Sequence, residues 1–124
     1  MYEVTVEDVF SSAHRLRNYR GKCENVHGHN WKVQVTVAGE KLDKGGLLLD
    51  FHVAKEKLKD VLSVLDHKDL NRISFFKKLN PTSENICLHI YGKMKTALKR
   101  YPVTVRRVTV WESDRQCASY YEGR

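Results

Sequence analysis

The chain lacks any apolar run approaching the roughly 18 residues that a membrane-spanning helix needs, so we expect no membrane partner. It also lacks a recognisable signal peptide, because strand-like alternation begins directly at Met1-Tyr2-Glu3-Val4. Its three cysteines are odd in number and follow no framework spacing, which argues against a disulfide scaffold. Such cysteine usage indicates a reducing compartment, and the expected location is therefore cytoplasmic.

Internal repeats, low-complexity linkers and the aromatic-and-basic signature of RNA-binding domains are likewise missing from the 124 residues. We therefore expect one domain spanning residues 1–124, with a modest core. The formal net charge is +7, but the lysines and arginines are spread along the chain instead of forming a basic tail. This pattern favours a small anionic substrate over nucleic acid, although an ordinary hydrated surface accounts for most of the charge.

Metal-binding side chains are concentrated in the stretch Cys23-Glu24-Asn25-Val26-His27-Gly28-His29. On an extended strand, two histidines two residues apart point to the same face. Zn²⁺ accepts imidazole nitrogens and takes three protein ligands in a catalytic site, and His14 is the upstream candidate for the third. The spacing leaves two roles open for Cys23, as a fourth ligand that closes a structural site or as a nucleophile or base beside an open one.

Apolar periodicity predicts an α+β fold of order ββααββ, an antiparallel four-stranded sheet with two helices on one face. Helical spacing follows Asp50 and, later, Thr82 or Ser83, each a suitable N-cap. Val9 interrupts the first alternation, which predicts a β-bulge at Glu7-Asp8. The predicted strands lie within residues 2–14, 29–37, 103–110 and 117–121.

Other ionisable side chains lie at element ends or inside the helices. Glu112 shares the face of Val108 and Val110, so its carboxylate is expected to be paired or bound to a ligand. The pair Asp66-His67 fits either helix-end capping or a charged pair that feeds a catalytic site. His52, Cys87 and His89 are interpreted as structural.

Five segments together resemble the 6-pyruvoyltetrahydropterin synthase / 6-carboxytetrahydropterin synthase family, nearly from end to end. They are Ser12-Ala13-His14, Cys23-x-x-x-His27-Gly28-His29, Leu65-Asp66-His67-Lys68-Asp69-Leu70-Asn71, Pro81-Thr82-Ser83-Glu84-Asn85 and Val110-Trp111-Glu112. The three-residue gap between the cysteine and His-Gly-His resembles the bacterial 6-carboxytetrahydropterin synthases of queuosine biosynthesis. Animal pyruvoyl enzymes typically have a longer gap there.

The resemblance implies a tunnelling fold (T-fold) whose strands join between subunits in rings, commonly homohexamers built from two trimers. It implies 7,8-dihydroneopterin triphosphate as the substrate, converted to 6-carboxytetrahydropterin with release of acetaldehyde and triphosphate. The residue roles that it implies are zinc ligation by His14, His27 and His29, a catalytic thiol at Cys23, a proton relay of Asp66 and His67, a pterin anchor at Glu112, and a pocket lining of Thr82 and Ser83.

Two alternatives remain open. Glu24 directly follows Cys23, and family members that form 6-hydroxymethyl-dihydropterin for folate have a glutamate at this place, so a hydroxymethyl or a pyruvoyl product competes with the carboxy product. A non-enzymatic zinc module is the other alternative. Such a module needs neither Glu112 nor the Asp66-His67 pair, and their presence favours an enzyme.

Overall fold

The computed structural model describes residues 1–21 and 24–123. A single mixed sheet has the strand order β3-β1-β2-β4-β5, and every neighbouring pair is antiparallel except β1 with β3. The elements in chain order are β1 (Tyr2–His14), β2 (His27–Gly39), α1 (Phe51–Ser63), β3 (Lys68–Asp69), two 3-10 turns (Leu70–Arg72 and Ser74–Phe76), α2 (Ser83–Ala97), β4 (Thr104–Ser113) and β5 (Gln116–Tyr120).

The α+β class and the two helices are confirmed, and the sheet gains a fifth strand. This strand, β3, has two residues and pairs in parallel with Ser12 and Ala13 of β1. The Lys68 backbone N–H also donates to the Ser12 hydroxyl at 3.2 Å. Two residues are too few to produce a periodic sequence pattern, which is why the sequence predicts four strands.

The predicted bulge at Glu7-Asp8 is wrong. β1 pairs with β2 in one continuous register, and Val9 lies on the outer face of the sheet with 62% of its surface exposed. An exposed valine on a strand is common, and here it mimicked a change of phase. A bulge does occur in β4, because Thr36 of β2 pairs with Arg107 whereas Val37 pairs with Val105.

Both helices begin at the predicted caps. The Asp50 carboxylate accepts the His52 backbone N–H, and the Thr82 hydroxyl accepts the Asn85 backbone N–H, which satisfies a free donor in the first turn of each helix. The buried sides of α1 and α2 cover one face of the sheet and form one apolar core with it. Among the described residues, no helix is long and apolar enough to cross a membrane.

His89 on α2 is buried beside Phe75 and Phe76, as its structural interpretation requires. Burial, with a smaller effect of Lys93, lowers the pKa of His89 from 6.5 to about 4. Between pH 6.5 and pH 4, His89 is protonated in the unfolded chain but not in the folded chain. The free energy of unfolding therefore falls as the pH drops through this range. Once the pH is below both pKa values of His89, the free energy of unfolding is lower by about 3 kcal/mol than at neutral pH.

We therefore predict that His89→Phe loses less stability in acid than the wild type does. The free energy of urea unfolding, measured at pH 7 and at pH 4.5, checks this. The difference between these two pH values shrinks in the variant, whereas substitution of the exposed His52 by glutamine leaves it unchanged. An equal pH dependence in wild type and His89→Phe contradicts the prediction.

Candidate metal centre and its surroundings

Three imidazoles meet where β1 ends and β2 begins. His14 is the last residue of β1 and pairs across the sheet with His27, while His29 pairs with Ser12. Because side chains alternate along strands, this register sends all three rings to the helix-covered face. One nitrogen of each histidine lies within 4.8 Å of the others. The structure thus brings together the three residues that the sequence predicts as metal ligands.

Backbone carbonyls fix which nitrogen of two histidines is free. His14 Nδ1 lies 2.7 Å from the Pro81 carbonyl oxygen, and His27 Nδ1 lies 3.0 Å from that of Asn25. Each Nδ1–H therefore donates to a carbonyl, and each Nε2 keeps a lone pair, as in many metal-binding histidines. The two Nε2 atoms lie 3.1 Å apart. Two lone pairs at this distance repel each other unless a cation or a proton lies between them.

The remaining donor of the group also suits a metal. His29 Nε2 is buried and has no hydrogen-bond partner. Ligand nitrogens about 2.05 Å from a tetrahedral zinc lie roughly 3.3 Å apart, close to the spacing of the His14 and His27 nitrogens. Burial lowers the pKa of His14, against a smaller opposing effect of the Pro81 hydrogen bond, and so favours the neutral form that ligates metals. The three histidines therefore fit a divalent metal such as zinc.

Trp31 forms the floor beneath the histidines. Its fully buried ring meets the rings of His14 and His29 edge to face, with centroid distances of 4.9 and 5.1 Å. The indole N–H donates to the Ser12 carbonyl at 3.2 Å, which satisfies its only polar group. This packing restricts the rotation of both imidazoles and keeps the site preorganised.

Glu112 reaches the same site from β4. Its Oε2 lies 3.6 Å from His29 Nε2 and 3.7 Å from His14 Nε2, and its other oxygen accepts a hydrogen bond from the Gln116 amide at 3.0 Å. The β4–β5 register is irregular between Trp111 and Ser113, so Glu112 lies at this irregularity. A half-buried carboxylate thus borders the histidines but lies too far from the Nε2 atoms of His14 and His29 to form a hydrogen bond with them.

Asp66 and His67 form a close pair, with Asp66 Oδ2 at 2.9 Å from His67 Nδ1. The Ser11 backbone N–H donates to Asp66 Oδ1 at 2.8 Å, and this bond, followed by the hydrogen bond from His67, lowers the pKa of Asp66. His67 has a φ of +55°, a left-handed conformation that is rare outside glycine and asparagine and is often found at functional sites. The Asp66 carboxylate accepts the His67 ring N–H and so orients the imidazole.

This pair makes no direct polar contact with the histidine group within one protomer. Among the described residues, neither Asp66 nor His67 makes a hydrogen bond or ion pair with the three histidines or Glu112. Both are instead bonded to the Ser11 backbone, which places them along the edge of β1. His67 is 82% exposed and borders a cavity of about 500 Å³ that His29 also lines. The relay pair therefore lies at an open edge of the sheet, where its ring is accessible from outside the chain.

The remaining predicted site residues have mixed placements. Cys23 lies outside the described residues. Thr82 caps α2 and directly follows Pro81, whose carbonyl contacts His14, so it lies beside the histidine group. Ser83 is the first residue of that helix and is half-buried.

Sequence reasoning missed several hydrogen bonds that hold the segments around the site. The Ser12 hydroxyl bonds to the Leu65 carbonyl and so joins β1 to the loop that carries Asp66. Glu24 Oε1 accepts the Leu16 backbone N–H at 3.2 Å, while the Glu24 N–H donates to the Leu16 carbonyl at 3.1 Å. Such bonds leave no periodic signal, so the sequence singled out Ser12 only within the Ser12-Ala13-His14 motif and Glu24 only as the neighbour of Cys23.

Comparison with known proteins identifies the family to which the chain is similar. A family model described as 6-pyruvoyl tetrahydropterin synthase matches residues 3–123. A putative 6-carboxy-5,6,7,8-tetrahydropterin synthase from Archaeoglobus fulgidus is 37% identical, over 90% of this chain and 88% of its own. A putative 6-pyruvoyl tetrahydrobiopterin synthase from Caenorhabditis elegans is 33% identical, over 94% of each chain.

The solved structures agree with the sequence comparison. The structure of Caenorhabditis elegans 6-pyruvoyl tetrahydropterin synthase superposes with a TM-score of 0.84 at 32% identity, covering 99% of this chain and 98% of that one. The tunnelling fold expected from the sequence is therefore confirmed. With a matching family model across almost its whole length and a matching fold, the chain belongs to the 6-pyruvoyl tetrahydropterin synthase family, the tetrahydropterin synthases.

Proposed function

We propose that this chain, as one domain of residues 1–124, is a zinc-dependent 6-carboxy-5,6,7,8-tetrahydropterin synthase. It converts 7,8-dihydroneopterin triphosphate to 6-carboxytetrahydropterin, with acetaldehyde and triphosphate as the other products, in cytoplasmic queuosine biosynthesis. The observation that carries the proposal is the three-histidine group with Glu112 against it, because a structural zinc module needs no such carboxylate. The relatives are named as both carboxy and pyruvoyl synthases, and the three-residue gap between Cys23 and His27 supports the carboxy product.

The side chains divide the work of this reaction. His14, His27 and His29 hold zinc and leave one position open, where the metal supplies Lewis acidity to the side-chain hydroxyls of the substrate. Cys23 removes the neighbouring C–H proton as a thiolate, the form in which a cysteine acts as a base. Glu112 accepts hydrogen bonds from the 2-amino group and N3–H of the pterin.

Thr82 and Ser83 line the same pocket, in keeping with their position directly after the Pro81 carbonyl that holds His14. Asp66 and His67 complete the proton relay. Because this pair makes no polar contact with the histidines or Glu112 among the described residues, and His67 is 82% exposed, we place it in the active site of a neighbouring protomer. Ring assembly into a homohexamer supplies that neighbour and also pairs the strand edges that a single chain leaves open.

Product analysis with 7,8-dihydroneopterin triphosphate tests the proposal. We expect 6-carboxytetrahydropterin and acetaldehyde in equal amounts. A pyruvoyl product without acetaldehyde would overturn the carboxy assignment, and an inert zinc-loaded protein would support the non-enzymatic alternative.

Folate-type cleavage to 6-hydroxymethyl-dihydropterin is the second candidate, because Glu24 is held by Leu16 directly beside Cys23 in the chain. The variant Glu24→Gln separates the two roles of Glu24. Glutamine keeps an oxygen that accepts the Leu16 N–H and loses the capacity to act as a base. If the wild type forms the hydroxymethyl product and Glu24→Gln does not, Glu24 is the base for that product.

We predict that His27→Ala loses bound zinc. Removing one of three ligands lowers affinity strongly, since the two remaining imidazoles cannot complete a catalytic zinc shell. Elemental analysis of purified wild type should give about one zinc per chain and that of the variant almost none. His52→Gln is the matched control, because this exposed histidine lies on α1, outside the group. Equal zinc in wild type and His27→Ala contradicts the prediction.

A further inference from the structure

Beyond the last residue of β1, the chain continues from Arg15 to Arg17 outside the strands of the described sheet. The backbone N–H of Arg15 donates to Asn71 Oδ1 at 2.8 Å, and the Asn71 amide donates to the Arg15 carbonyl at 3.0 Å. Asn80 makes the same pair of hydrogen bonds with Arg17: its Oδ1 accepts the Arg17 backbone N–H at 2.9 Å, and its amide donates to the Arg17 carbonyl at 2.8 Å. The intervening Leu16 has both backbone groups bonded to Glu24.

Each asparagine side chain therefore makes the two backbone hydrogen bonds that a residue of an adjacent strand would make. A side-chain amide carries an acceptor and a donor side by side, and it can exchange the same two hydrogen bonds that antiparallel residues exchange. The paired segment is left with no unsatisfied backbone group from Arg15 to Arg17. We call Asn71 and Asn80 together the amide clamp.

Both residues of the amide clamp are themselves fixed. The Asn71 backbone N–H donates to the Asp69 carboxylate at 3.1 Å, which caps the 3-10 turn. The Asn80 carbonyl accepts the Asn85 side-chain amide from α2 at 2.9 Å. The next residue after Asn80 is Pro81, whose carbonyl takes the His14 Nδ1–H.

We propose that the amide clamp positions the metal centre, by holding the backbone that follows His14 so that its imidazole meets those of His27 and His29. This inference rests on the proposed metal site. His14 directly precedes the first clamped residue, and the second clamp residue directly precedes the carbonyl that orients the His14 ring. Asn71 and Asn80 are positioning residues, since neither bonds to the histidines.

The test uses Asn71→Asp and Asn80→Asp in the full chain with Co²⁺ alone as the probe. Aspartate keeps the shape and the acceptor oxygen, but its second oxygen faces a backbone carbonyl that has lost its donor. We expect Co²⁺ affinity to fall roughly tenfold or more in each variant, the usual effect of losing an outer partner of a metal ligand. The visible absorption of bound Co²⁺ should change, and amide hydrogen exchange at residues 15–17 should accelerate.

Leu62→Val is the control, because it loosens the buried side of α1 without removing a hydrogen bond of the amide clamp. It should lower thermal stability while leaving the Co²⁺ spectrum and affinity unchanged. Wild-type affinity and spectrum in both aspartate variants overturn the proposal, as does an equal loss in Leu62→Val. If an aspartate variant does not fold, the corresponding alanine variant takes its place, with the same expected and overturning results. These readouts need no pterin, so a failure of turnover in the wild type would overturn the proposed function and leave this inference standing.

Discussion

Replacing Cys23 with alanine is expected to lower turnover by roughly 10²–10⁴-fold, the usual contribution of a positioned acid or base. Zinc content and pterin binding should stay at wild-type levels. In the proposed site three histidines supply the protein ligands of a catalytic zinc, and a fourth protein ligand would leave no position for the substrate hydroxyls. The thiol is therefore assigned to proton transfer and not to the metal.

Three measurements on purified Cys23→Ala check this assignment: zinc by elemental analysis, pterin affinity by titration, and turnover with 7,8-dihydroneopterin triphosphate. Cys117→Ala is the matched control, because this exposed cysteine lies on β5. Loss of zinc from Cys23→Ala would make the thiol a ligand. Full activity would place the base elsewhere, with Glu24, its neighbour in the chain, examined first.

Glu112→Ala provides a contrast within the same experiment. Removing the carboxylate leaves the pterin edge without its acceptor, so binding should weaken by about 2–5 kcal/mol while zinc is retained. Gln116 donates to Glu112 and offers a milder change, because Gln116→Ala leaves the carboxylate present but less restrained. Loss of metal from Glu112→Ala would instead indicate a ligand role, which its position near two histidine nitrogens makes worth measuring.

The sequence was informative wherever a short period governs geometry. The spacing of His27 and His29 translates directly into a shared strand face, and Asp50 and Thr82 cap helices through contacts within three residues. Val9 shows the weakness of the same reasoning. An outward-facing valine satisfies β propensity without burial, so the alternation alone could not distinguish exposure from a bulge.

Features that depend on tertiary contacts were beyond that reasoning. The pairing of His14 with His27 joins segments on either side of a loop, and only the β1–β2 register places their rings together. The amide clamp joins residues 56 and 63 positions apart, distances at which no local pattern survives. The position of Asp66 and His67 along the edge of β1 was equally hidden, because it follows from their hydrogen bonds to the Ser11 backbone.

A mixture of two inactive variants is expected to recover activity if Asp66 and His67 serve a neighbouring protomer. Cys23→Ala retains the relay pair and lacks the thiol, whereas His67→Ala retains the thiol and lacks the relay. In a ring with head-to-tail contacts and random 1:1 mixing, about a quarter of the sites combine an intact Cys23 with an intact His67 from the adjacent chain. Turnover should therefore rise from near zero to about a quarter of the wild-type value.

The experiment requires co-expression of two differently tagged chains and purification through both tags, so that every assembly measured is mixed. The matched control mixes Cys23→Ala with the double variant Cys23→Ala/His67→Ala, in which no site contains the thiol. Because both mixtures assemble from the same fold, they separate shared sites from general stabilisation by the partner chain. Mixed assemblies of the two single variants that remain as inactive as each variant alone would contradict a site shared between protomers. Among the described residues, Asp66 and His67 make no polar contact with the three histidines of their own chain, so recovery of activity is the outcome that their position supports.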